Sequence, residues 1–82
     1  MQIYPLKKRI LKFLAKHGIA GRFEKRILLF SKNPFHPSLH TEVLEPKHFN
    51  IYSFRITRNF RAIFIYRGSS SIEIIDINNH YQ

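Results

Sequence analysis

Ile51-Tyr-Ser-Phe-Arg-Ile-Thr-Arg-Asn-Phe-Arg-Ala-Ile-Phe-Ile-Tyr-Arg67 is the stretch on which the fold turns. Residues 51–57 and 60–67 are two runs of branched and aromatic side chains, the composition of half-buried, pleated strands. Arg58-Asn59 breaks them with a short polar pair, so the two runs read as a hairpin with a tight turn. Gly68 and the three serines after it mark the next turn. Residues 72–77, Ile-Glu-Ile-Ile-Asp-Ile, then read as a third strand before Asn78-Asn79 loosens the chain. The result is a small antiparallel sheet of three strands in sequence order.

The turn decides which face carries each side chain. A two-residue turn at Arg58-Asn59 pairs Ile56 with Arg61 and places Arg61 on the side of Tyr52 and Phe54. A bulge of one residue moves it to the side of Ser53 and Arg55, because strand side chains alternate. Both registers fit the sequence.

Upstream of the sheet the period changes from two to 3.6. Leu6, Ile10, Phe13, Leu14 and His17 share one helical face, and Lys8, Lys12 and Lys16 make a basic stripe on another. Pro5 suits the first turn of this helix and Gly18 the position just past its end. A second helix is predicted over about residues 20–31, with Phe23, Ile27 and Phe30 as its apolar stripe and Leu28 and Leu29 widening it. Arg22, Lys25, Arg26 and Lys32 form its wet side. The short link from Gly18 to Gly21 implies an antiparallel helical hairpin. Asn33-Pro-Phe-His-Pro-Ser ends the helical part, since Pro34 and Pro37 exclude a regular helix. From there to about Asn50 the chain reads as a loop or an irregular strand. The expected architecture is α+β, with the helical hairpin on one face of the sheet.

Eighty-two residues make one domain, 1–82, and an apolar share of 44% is enough for one core. There is no cysteine, which excludes disulfides and thiolate metal sites. Fourteen Lys and Arg against five Asp and Glu give a formal charge of +9. A body this basic attracts polyanions, with RNA first among them. No apolar run approaches the roughly 20 residues of a membrane span. Residues 1–5 are too short and polar a start for a signal peptide, so the cytoplasm is the expected location and no membrane partner is expected. His36 and His40 have a zinc-binding spacing, but Pro37 denies them the helix that spacing needs, and no metal or other cofactor is expected.

A carboxylate, a guanidinium and an imidazole suffice to cut RNA through its own 2′-hydroxyl. Three segments carry a resemblance to a known family: Asn33-Pro-Phe-His-Pro-Ser-Leu, Tyr52-Ser-Phe-Arg-Ile-Thr-Arg-Asn-Phe-Arg-Ala-Ile-Phe, and Asp76-Ile-Asn-Asn-His-Tyr. Together they resemble the RelE/ParE toxin superfamily, nearest to the ribosome-dependent messenger-RNA interferases of the RelE and YoeB kind. The resemblance implies a RelE-like, microbial-ribonuclease-type fold whose first strand is short or missing, because residues 1–4 leave only a stub. It implies an endoribonuclease toxin with a cognate antitoxin, a short acidic protein, and with the ribosome and messenger RNA as further partners. It places the general base on Glu42, the transition-state cation on Arg61, the general acid on His80 and the terminal tyrosine on Tyr81. Arg55, Arg58 and Lys47 become phosphate-binding residues near that site. Lys8, Lys12, Lys16, Arg22, Lys25 and Arg26 become a grip on ribosomal RNA, one that weakens with salt. Many relatives carry a lysine directly after the position of Leu44, where this chain has Glu45. Two other readings follow from the same resemblance: a ParE-like toxin that blocks DNA gyrase by binding, and a degenerate member that only binds antitoxin or RNA.

Overall fold

Two apolar helix stripes and one apolar sheet face have to be buried, and the chain buries them against each other in two layers. The computed structural model describes residues 1–79. Helix α1 spans Lys8–Lys16 and α2 spans Ala20–Lys32. Five strands form one sheet among the described residues: β1 Gln2–Ile3, β2 Glu42–Val43, β3 Tyr52–Arg55, β4 Phe60–Arg67 and β5 Ser71–Asn79, in the order β1-β5-β4-β3-β2. The meander β3-β4-β5 is the expected one. The stub at the N-terminus is a strand after all, and it runs parallel to β5, so the sheet is mixed rather than wholly antiparallel.

The helix junction follows from one residue. Gly18 takes φ +65°, and the amides of Gly18 and Ile19 donate to the carbonyls of Ala15 and Leu14. That is a Schellman closure, which only glycine adopts without strain. Pro5 does not open α1. Tyr4 N–H still bonds to the Ile72 carbonyl at 2.9 Å, so the chain stays extended into Pro5 and turns helical three residues later.

Between the layers lies an aromatic core. Phe30 of α2 packs on Phe54 of β3 and Phe64 of β4, with ring centroids 5.3 and 5.1 Å apart, and all three are fully buried. Each contributes roughly 1.5–3 kcal/mol of apolar burial. Ala62, Ile72, Ile74 and Ile77 complete the sheet side of this core. Strand β5 keeps its isoleucines inward by a bulge: Ile63 pairs with Asp76 and Phe64 with Ile74, which leaves Ile75 unmatched. Beyond the bulge the strand continues through Asn79, so Asn78 and Asn79 do not loosen the chain but pair with Arg61 and Phe60.

Candidate active site

Arg61 sits where the outcome of the register matters most. β3 ends at Arg55, and residues 56–59 form the turn before β4, with Ile56 N–H and Thr57 N–H both donating to the Phe60 carbonyl. Arg55 therefore pairs with Arg61, and Phe54 with Ala62. The wider turn puts Arg61 on the face of Ser53 and Arg55, away from the helices.

Arg61 is only 5% exposed, and a buried guanidinium persists only where its N–H groups find acceptors. Nε donates to Ser53 Oγ at 2.9 Å, and Nη2 donates to the carbonyl oxygens of His40 and Ser53. Among the described residues no acceptor takes Nη1. Burial lowers the Arg61 pKa from its ordinary value, Glu42 opposes that shift and Arg55 adds to it. Arginine stays protonated in proteins, so the result is a fixed, partly desolvated cation.

Glu42 reaches this cation from β2. It pairs with Ser53, so it shares the face of Ser53 and Arg61. Its Oε1 lies 3.8 Å from Arg61 Nη2, while its side chain is 58% exposed. The carboxylate is thus ion-paired yet open to solvent.

What holds Glu42 there is the 3₁₀ turn Pro37–Leu39. His36 Nδ1 accepts from Ser38 N–H at 3.2 Å, Pro37 opens the turn, and Leu39 is buried in the core. His36 is therefore a cap for this turn. His40 closes it in the left-handed region, φ +48°, and turns its carbonyl to Arg61. From the helix side Arg26 binds the same turn: Nη1 donates to Ser38 O and Oγ at 3.3 and 3.2 Å, and Nε donates to Ile56 O at 3.2 Å. Arg26 is thus not on the wet side of α2. It is half-buried because its long stem lets the head reach carbonyls 12 and 30 residues away.

The structure therefore brings Glu42, Arg55 and Arg61 together on one sheet face. Arg58 is exposed in the turn that leads into Arg61. Lys47 stands on the 3₁₀ turn Lys47–Phe49, in the loop at the Tyr52 end of β3, whereas Arg61 is at the Arg55 end. Lys8, Lys12, Lys16, Arg22 and Lys25 are exposed on the helices. His80 and Tyr81 lie outside the described residues. Ser53 and the His40 carbonyl were not visible as site groups in the sequence. The available signal was a serine alternating with Tyr52 and Phe54, on the side where Arg55 stands.

No sequence-family profile matches the chain, and no curated protein matches it. Solved structures do. A YoeB/ParE toxin from Agrobacterium tumefaciens superposes with a TM-score of 0.74 at 21% identity, covering 99% of this chain and 100% of the other. The chain has the fold of the YoeB/ParE toxins. A YoeB-YefM complex from Staphylococcus aureus matches with a TM-score of 0.70 at 16% identity, covering 99% of this chain and 98% of that one. A heterotetrameric YoeB-YefM toxin-antitoxin complex from the same organism matches with a TM-score of 0.69 at 17% identity, over 98% and 94%. The expected α+β, RelE-like architecture is thus the observed one.

Proposed function

We propose that this chain is the toxin of a toxin–antitoxin pair and acts as an endoribonuclease on messenger RNA at the ribosome. The observation that carries the reading is the solvent-open Glu42 carboxylate 3.8 Å from a buried, hydrogen-bonded Arg61. In the reaction the 2′-hydroxyl gives its proton to Glu42 and its oxygen bonds to the adjacent phosphorus. Arg61 meets the negative charge that grows on the phosphorane, with Arg55 beside it raising the local positive potential. The 5′-oxygen leaves with a proton, a step assigned to His80 with Tyr81 stacking or orienting, both by resemblance. The products are a 2′,3′-cyclic phosphate and a 5′-hydroxyl.

The exposed cations on the helices, Lys8, Lys12, Lys16, Arg22 and Lys25, suit ribosomal RNA phosphates. The same surface suits an acidic antitoxin that folds on contact, in line with the two S. aureus complexes. A second reading has its own support. Arg61 gives three hydrogen bonds to Ser53 and His40, as a purely structural arginine would, and a ParE-like toxin that binds gyrase needs no base or acid. Induced expression followed by mapping of RNA 5′ ends separates the two. New 5′-hydroxyl ends in translated messages support the nuclease. Intact messages, together with inhibition of supercoiling by the purified chain, support the gyrase reading.

A further inference from the structure

Ser53 lies at the centre of the open sheet face and is fully buried. Glu42 of β2 is its direct partner. Arg61 of β4 is its diagonal neighbour, because Ser53 pairs with Ile63 and Arg55 with Arg61. A buried serine between a carboxylate and a guanidinium either fills space beneath them or fixes how one of them is turned.

The hydrogen bonds of Arg61 decide between these. A guanidinium has a side edge, Nε with Nη2, and an end, Nη1 with Nη2, and its five N–H donors are held in one rigid plane. Ser53 takes the whole side edge: Oγ accepts from Nε at 2.9 Å and the carbonyl oxygen accepts from Nη2 at 3.4 Å. The His40 carbonyl also takes Nη2. All three bonds thus fall on two nitrogens, and among the described residues Nη1 has no acceptor. Among the same residues no sealed side-chain nitrogen or oxygen lacks a hydrogen-bond partner, so Nη1 reaches solvent. An untethered guanidinium turns about its Nε–Cζ bond. This one is pinned at Nε and Nη2, which fixes where Nη1 stands.

We propose that Ser53 is a positioning residue for the cleavage of RNA. It holds the side edge of Arg61 so that Nη1, with its two N–H donors, is the nitrogen that meets the phosphate. This rests on the nuclease reading and adds to it which atom faces the phosphorane and what aims it. Without the Ser53 hydroxyl the plane is pinned at Nη2 alone and swings. A displaced donor binds the ground state nearly as well and meets the transition state badly.

Two measurements on the whole chain test this. The first is nitrogen NMR of the Arg61 guanidinium, assigned by the signals missing from Arg61→Lys. The parent is expected to show separate Nη1 and Nη2 signals, with inorganic phosphate shifting Nη1 most, and Ser53→Ala to merge the two. Merged signals in the parent, or a phosphate response largest at Nε or Nη2, would overturn the proposal. The second is cleavage of a short message on purified ribosomes. Ser53→Ala should lower the saturated rate by about tenfold or more and leave the half-saturating message concentration within about twofold. Ser53→Thr keeps the hydroxyl and should return to within about threefold of the parent. A parent rate in folded Ser53→Ala, a loss confined to the half-saturating concentration, or an equal loss in both variants would each reject a positioning role. A parent that cuts nothing counts against the nuclease reading, while the NMR signals still report whether Ser53 aims Nη1. If neither variant folds, the parent's signals and their response to phosphate decide.

Discussion

Two arginines hold the same 3₁₀ turn from opposite sides of the sheet, and their surroundings differ. Arg61, on the open face, is nearly sealed and has a carboxylate 3.8 Å away. Arg26, on the helix face, is half-buried, and its bonds go to carbonyls and a hydroxyl alone. The first charge has its counter-ion beside it in the resting protein, on a side chain open to solvent, which suits the proposed step of chemistry. The second is unbalanced at rest, which suits standing attraction for an anion. One residue type thus gives two kinds of site, and the nearest anion decides which.

Removing what the two sites share should have the largest effect. Phe54→Ala empties the aromatic core beneath both and should cost about 3–5 kcal/mol in urea unfolding, with the two faces lost in one transition. Separate transitions would show that the faces are not held by one core. Ser53→Ala touches only the open side. It leaves Arg61 Nε without its acceptor at a buried position, so a loss of about 1–3 kcal/mol is expected by the same measurement, with the surroundings of Arg26 unchanged. A silent Ser53→Ala would mean that Arg61 is held by the carbonyls alone.

The helix face can be probed by pH without altering either arginine. Burial, helped by Tyr52, raises the Tyr66 pKa above its ordinary 10.0. The fold therefore favours the neutral phenol. Its stabilising contribution is complete below about pH 10 and declines as the pH climbs through the raised folded value. Melting temperatures should fall across that window in the parent chain and fall less in Tyr66→Phe, while equal slopes would contradict the assignment. The smallest effect belongs to Arg9→Ala. Its pair with Asp76 is exposed on both sides, so under about 1 kcal/mol is expected, and a larger loss would point to the Ile75 carbonyl that Arg9 also covers.

The strands and helices were legible because their periods are written in side chains: 3.6 in Ile10, Phe13, Leu14 and two in Tyr52, Phe54. The face of Arg61 was not, because turn width depends on backbone geometry that Arg58-Asn59 alone does not specify. β2 was hidden because two residues show no alternation, although Glu42 stands in it. The bulge left one trace, the doublet Ile74-Ile75, which breaks the period of two. Arg26 read as solvated because helical spacing places its Cα and says nothing about where a long side chain ends. Glu42 and Arg61 were picked out by resemblance, and the fold brings them to one face. The assignments of His80 and Tyr81 still rest on the resemblance alone.

The most direct measurement of the central claim compares messenger-RNA cleavage in a translating extract by the parent chain, Glu42→Gln and Arg61→Lys, with folding verified by circular dichroism. The account expects new 5′-hydroxyl ends from the parent and a drop of about a hundredfold or more in each folded variant, the scale on which a lost transition-state contact acts. Cutting at the parent rate by both variants would contradict it.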